Sequence, residues 1–245
     1  MRWIVGDVHG CVRELEDLLR EIRFRPGRDE LWGTGDLVNR GPDSLAVLRL
    51  WREIGADSVL GNHDLHVVRA AAGVVSRRSD DTLDELLGAP DAPELLRWLG
   101  ARPVLVVWPR IVLVHAALHP AWTDLPAQAA AFASRPGGVA RAADSEALFA
   151  LLARCCLPDG ARVKHTGPPA DCPDGSLPWD HHHRGDRLVV FGHWAQRGVD
   201  RTERVLCLDS GCAYGGALSA WNPDEDLLVQ VPSRSPRSLP PAPDA

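Results

Sequence analysis

Three times in the first 75 residues, a short apolar run stops at a glycine and a polar residue. RWIV (2–5) runs into Gly6-Asp7, Leu31-Trp32 into Gly35-Asp36, and Ser58-Val59-Leu60 into Gly61-Asn62. Amphipathic stretches lie between them. Over 12–23, Val12, Leu15, Leu18, Leu19 and Ile22 recur at helical spacing. A second helix opens at Pro42-Asp43-Ser44 and carries Leu45, Leu48, Trp51 and Ile54 on one face. Strands alternating with helices bury both faces of a sheet, so the pattern predicts a layered α/β fold. Polar residues directly after strands stand where open α/β sheets carry their sites.

Further on, the pattern predicts an amphipathic helix over 82–99 and strands over 104–108 and 111–114. It predicts a helix over 145–156 and a Gly/Pro/Asp-rich loop over 157–186. Strands are expected again over 188–191, 205–208, 217–221 and 227–231. A chain of 245 residues can bury a full core, and no linker divides this one. We therefore expect one domain over 1–231 and a disordered Pro/Ser-rich tail over 232–245.

Composition removes some classes of function. The net charge is −6, against the basic balance expected of a duplex-DNA binder. No apolar run reaches the ~18 residues needed to span a bilayer, and no secretory signal is visible, so a cytoplasmic protein is expected. Six cysteines without a CxxC pair then read as reduced thiols.

Five short segments carry the chemistry: Gly6-Asp7-Val8-His9-Gly10, Gly35 to Gly41, Gly61-Asn62-His63-Asp64, Val114-His115-Ala116, and Phe191-Gly192-His193-Trp194. One such segment could be an ordinary turn, and Asn62-His63-Asp64 alone could be a helix cap. Five in this order form a ligand set of carboxylate, imidazole and amide oxygen. Without thiolate, that set suits Mn²⁺, Fe or Co, with Zn²⁺ also possible. Asp7, His9 and Asp36 can hold one ion. Asp36, Asn62, His115 and His193 can hold a second, with Asp36 bridging. Two ions ~3.5–4 Å apart polarise a phosphoryl group and activate water. Arg40 offers a planar fork for phosphate oxygens, with Asn39 beside it as a second substrate contact. His63 is placed to protonate a leaving oxygen. Trp194 and Tyr214 could stack on a base or simply pack in the core.

These segments resemble the calcineurin-like metallophosphoesterase superfamily, in the branch of Ser/Thr phosphoprotein phosphatases and symmetrical bis(5′-nucleosyl)-tetraphosphatases. GDLVNRGP (35–42), LGNHDLH (60–66), APDAPELLRWL (89–99), VHAAL (114–118), FGHW (191–194) and LDSGCAYGG (208–216) are similar to the tetraphosphatases. Phosphoprotein phosphatases typically carry Asp where this chain has Asn39, and Glu where it has Asp64. The resemblance implies a sandwich of mixed β-sheets flanked by helices, with a two-metal site at one edge. It also implies cleavage of P1,P4-bis(5′-adenosyl) tetraphosphate into two ADP, with Mn²⁺ first among the metals. Dinucleotide-like RNA caps are a further implied substrate. A phosphoprotein phosphatase and a non-catalytic metal-binding interaction module are the rival readings. Residues 125–160 are shorter than the family pattern, and Ala117 stands where glycine is usual.

Overall fold

The computed structural model describes residues 1–135 and 144–236. Its first half builds a five-stranded mixed sheet. β1 (Arg2–Val5), β2 (Glu30–Gly33) and β3 (Asp57–Ser58) run parallel, with α1 (Val12–Glu21) and α2 (Ser44–Glu53) as crossovers. Two later strands, β12 (Ala217–Asn222) and β13 (Leu227–Pro232), complete that sheet, in the order β13-β12-β1-β2-β3. α3 (Asn62–Ala71), α4 (Asp84–Gly88) and α5 (Ala92–Gly100) follow β3.

The second sheet contains β4 (Leu105–Val107) and β5 (Ile111–Val114). After α6 (Leu125–Ala133) and α7 (Ser145–Leu152) comes a small antiparallel sheet of β6 (Cys155–Cys156), β7 (Arg162–Val163) and β8 (Leu177–Pro178). β9 (Leu188–Phe191), β10 (Asp200–Arg201) and β11 (Val205–Cys207) complete the second sheet, in the order β10-β11-β9-β5-β4. β12 (Ala217–Asn222) and β13 (Leu227–Pro232) return to the first.

Strand alternation decides which side chains enter which layer. Ile4, Leu113, Val190, Leu206 and Trp221 form a core shared by the two sheets. Their neighbours Trp3 and Val5 face the helices on the outside of the first sheet. Val112, Val114, Val189 and Phe191 pack with Phe132 and Phe149 outside the second. This is the expected sandwich flanked by helices.

Several sequence expectations are corrected. The helix expected over 82–99 is two helices, because Pro90 lies between α4 and α5 and cannot donate to a helical ladder. The helix expected over 145–156 ends at Leu152, since Cys155 and Cys156 pair with Arg162–Val163 and Leu177–Pro178 instead. The 157–186 loop therefore contains two strands. The cysteines are not all free: Cys155 and Cys172 form a disulfide, while Cys11, Cys156, Cys207 and Cys212 are buried thiols. From the expected tail, the Arg234 amide donates to Glu14 and the Ser233 hydroxyl to the Cys212 carbonyl. Residues 237–245 of that segment lie outside the described residues. No described helix is long and apolar enough to cross a membrane.

Candidate metal centre and phosphate cleft

The segments after β1, β2, β3, β5, β9 and β11 converge at one edge of the sandwich. The His9 amide donates to the Asp36 carbonyl at 2.8 Å, joining the first two loops. The Gly192 amide donates to the His115 carbonyl at 2.9 Å, joining the loops of the second sheet. Asp7 ties the two sets together. Its carboxylate accepts from the Thr34 hydroxyl at 2.7 Å and from the His193 amide at 2.9 Å. A Cβ on Gly192 would lie 1.8 Å from Asp7 Oδ1, so this approach requires glycine. Gly61 is constrained alike, because its Cβ would lie 2.2 Å from Asp36 Oδ1.

Five of the seven described non-glycine residues with positive φ are site residues: His9, Asp36, Asn39, Arg40 and His193. Left-handed backbone costs roughly 1–3 kcal/mol at such residues and persists where the surroundings impose it. Strain gathered in one place marks these loops as functional rather than as ordinary turns.

Asp36 is the centre of the cluster. His9 Nε2 lies 3.6 Å and His115 Nε2 3.5 Å from Asp36 Oδ2. His9, Asp36 and His63 form one group of converging ligand atoms, and Asp36, His115 and His193 another. Asp36 is the member common to both, as a bridging ligand would be. Asp7 belongs to neither trio and is engaged by Thr34 and His193 instead.

Two of the imidazoles are oriented by their outer nitrogens. His9 Nδ1 sits 3.1 Å from the Val38 carbonyl, and His115 Nδ1 sits 2.8 Å from that of Thr34. An Nδ1–H donated to a carbonyl leaves the Nε2 lone pair facing inward. Asn62 Oδ1 then lies 3.0 Å from His115 Nε2, so two acceptors meet beside the Asp36 carboxylate. His193 Nε2 is buried without a hydrogen-bond partner among the described residues. Lone pairs gathered without a donor fit divalent cations.

Electrostatics agree. Burial, with Asp209 and Asp36 nearby, pushes the Asp7 carboxyl well above the usual carboxylate range. Burial and then Asp64 do the same to Asp36. Burial lowers His9 to about 4 and His115 to about 3, which keeps both neutral near pH 7. Crowded carboxylates that resist ionisation, beside neutral imidazoles, are relieved by positive charge.

α3 starts at the cluster. Asp64, at its third position, accepts the amides of Gly61 and Leu37, both at 3.0 Å. This locks the Asp36 loop to the helix, and the His63 amide donates to Asp36 Oδ1 at 2.7 Å. The helix cap itself is Gly61, and Asp64 is its partner at the third position of the helix.

Two of the four expected substrate contacts, Asn39 and Trp194, need revision, while Arg40 and Tyr214 line the cleft. Asn39 is fully buried, and its Nδ2 lies 3.1 Å from His63 Nδ1 and 2.8 Å from Asp81 Oδ1. It positions His63 and does not face the cleft. Trp194 borders the cleft but is 1% exposed, with its indole N–H on the Gly167 carbonyl at 2.8 Å. Its faces are used in packing, so stacking on a base is lost. Arg40 lines the cleft while paired with Asp80. Tyr214 is half-buried on the same wall, 6.4 Å from the His9 ring.

Two further residues enter the site. Arg154 donates to the carbonyls of His193 at 2.7 Å and His165 at 3.1 Å. No motif announces it. Asp209 is buried against the cluster, and burial raises its carboxyl to about 6. Its signal was available, because it follows an apolar strand as the other polar site residues do. The cleft has a volume of about 590 Å³, and Arg40, Arg78, Arg154, Arg162 and Lys164 line it.

A family model of calcineurin-like phosphoesterases matches residues 2–197. The chain belongs to the calcineurin-like phosphoesterase family. A symmetrical bis(5′-nucleosyl)-tetraphosphatase of Methylobacillus flagellatus is 37% identical over 94% of this chain and 94% of that relative. A crystal structure provisionally assigned as a diadenosine tetraphosphatase superposes with a TM-score of 0.72 and 34% identity, over 95% of this chain and 93% of that one. A Ser/Thr phosphatase of Saccharomyces cerevisiae shares the fold, with a TM-score of 0.63 at 13% identity, over 98% of this chain and 81% of that one.

Proposed function

We propose that the chain hydrolyses dinucleoside tetraphosphates symmetrically. Water adds at one inner phosphorus, the bridging P–O bond to the other inner phosphate breaks, and diadenosine tetraphosphate yields two ADP. The observation that carries this reading is Asp36, shared between His9 on one side and His115 with His193 on the other, on the floor of a cation-lined cleft. Tetraphosphatase relatives matched over nearly the whole chain support the substrate.

Asp7, His9, Asp36, Asn62, His115 and His193 would hold two divalent cations, Mn²⁺ before Co²⁺, Fe or Zn²⁺. Such ions polarise phosphoryl oxygens and lower the pKa of water. The protein's own groups do the rest. Arg40 orients the attacked phosphoryl through a bidentate fork. Arg154 adds fixed positive charge close to His193. His63 faces the departing oxygen and stabilises it by hydrogen bonding. The same phosphoanhydride occurs in dinucleotide-like RNA caps, which extends the proposal to them. The proposed setting is the cytoplasm.

Product chromatography with Mn²⁺ or Co²⁺ tests the reading. ADP as the only nucleotide product is expected. AMP with ATP, or turnover only on a phosphopeptide, overturns it.

A further inference from the structure

Arg162 and Lys164, like Arg78, differ from Arg154 and Arg40 among the cations of the cleft. Arg154 is spent on backbone carbonyls, and Arg40 is paired with Asp80. Arg162 and Lys164 are exposed on the cleft wall, and neither has an ion-pair partner among the described residues. Arg162 lies on β7 and Lys164 directly follows its end. Residues two apart on a strand share a side. Val163 between them packs against the core outside the second sheet, which leaves both cations toward the cleft.

The ledge that carries them is fixed. Arg162 pairs in register with Cys156, and Val163 with Cys155. The Cys155–Cys172 disulfide closes the segment. Arg154 joins its start to the His193 carbonyl, and the Trp194 indole bonds the Gly167 carbonyl. Two unpaired cations thus stand on a rigid ledge tied to the loop of His193, in a chain of net charge −6. Long flexible cations left unpaired and pre-placed in a cleft suit a mobile polyanion.

We infer that Arg162 and Lys164 form a subsite for the phosphates beyond the one attacked, and so set a preference for polyphosphate chains over phosphomonoesters. The inference rests on the proposed phosphoanhydride reading. A monoester ends at the Asp36 cluster and leaves the ledge unused. A tetraphosphate continues past it with further charge.

The test compares wild type with an Arg162→Ala/Lys164→Ala double variant, using Mn²⁺, diadenosine tetraphosphate and 4-nitrophenyl phosphate. The ratio of kcat/KM on the dinucleotide to that on the monoester is expected to fall about tenfold, through KM, as charge-assisted contacts are lost. Arg162→Lys/Lys164→Arg, which preserves charge, should keep that ratio within about twofold. An unchanged ratio in the alanine variant overturns the subsite while leaving the phosphoanhydride reading intact. An equal loss in the charge-preserving variant also overturns it, because packing would then be responsible. Wild type that turns over the monoester but not the dinucleotide overturns the underlying reading, and the subsite with it.

Discussion

The side-chain amide NH₂ of Asn39 faces Nδ1 of His63 at 3.1 Å. The amide cannot be turned the other way, because Asn39 Oδ1 already accepts the amides of Arg40 at 2.8 Å and Thr82 at 3.0 Å. An NH₂ group facing Nδ1 makes that nitrogen an acceptor and puts the imidazole hydrogen on Nε2. Burial, with His9 and Arg40 nearby, also disfavours the imidazolium. His63 is therefore a neutral donor toward the cleft. A carboxylate at position 39 would instead hold a protonated histidine, the stronger acid an alkoxide leaving group needs.

Exchanging the two partners should change which leaving groups are accepted. Asn39→Asp combined with Asp81→Asn keeps one amide and one carboxylate in contact, so the buried pair stays satisfied. The double variant should gain about tenfold or more on an alkyl phosphate relative to the dinucleotide, within the ~10²–10⁴-fold worth of acid catalysis. Steady-state rates on both substrates decide it. An unaltered ratio would show that the tautomer of His63 does not set leaving-group preference.

Asp36→Asn should abolish nearly all turnover. Asp36 belongs to both groups of converging side chains, so replacing its carboxylate with a neutral amide weakens both. Elemental analysis of the purified variant should find fewer than two ions per chain. Wild-type metal content would refute a bridging role.

Arg40→Ala should lose more activity than Arg40→Lys, and lysine should not restore the full rate. A point charge cannot reproduce a planar fork on two phosphate oxygens. Full activity with lysine would reduce Arg40 to a background charge.

Acid should loosen the same corner of the cleft. Burial would raise the Asp81 carboxyl, but the bonds from His66, the Arg78 amide and Asn39 outweigh it and hold it at about 2. A carboxylate depressed in the folded state stabilises the fold above its unfolded value of about 3.9. That contribution is lost as pH falls from there through about 2. Asp81→Asn should therefore flatten part of the fall in Tm below pH 4 and change little of the pH dependence above it. An identical acid limb in both proteins would count against this account.

Most of the site is legible in the sequence because its polar residues lie at or just after the ends of apolar runs, often beside a glycine, a local pattern that needs no partner to be read. Asp209 likewise directly follows the apolar run Val205–Leu208. Pro90, equally visible in the sequence, is what divides the 82–99 segment into two helices. Other features depend on distant partners. Cys155 leaves helical geometry only because Val163 and Pro178 are there to pair with it. Its bond to Cys172 and the reach of Arg154 to His193 follow from that small sheet. Asn39 was legible as a departure from a family pattern, but its contact with Asp81 spans 42 residues and leaves no local mark.

The convergence of His115 Nε2, Asn62 Oδ1 and the Asp36 carboxylate has a consequence beyond chemistry. Like faces like there until a cation arrives, so acquiring the folded state and acquiring ions become linked equilibria. The temperature of unfolding then works as a gauge of free ion. Once a site is near saturation, each tenfold rise in ion activity should add about 1.4 kcal/mol per site, and a chelator should withdraw it. A cell short of the metal would lose this enzyme twice over, first as a catalyst and then as a folded chain.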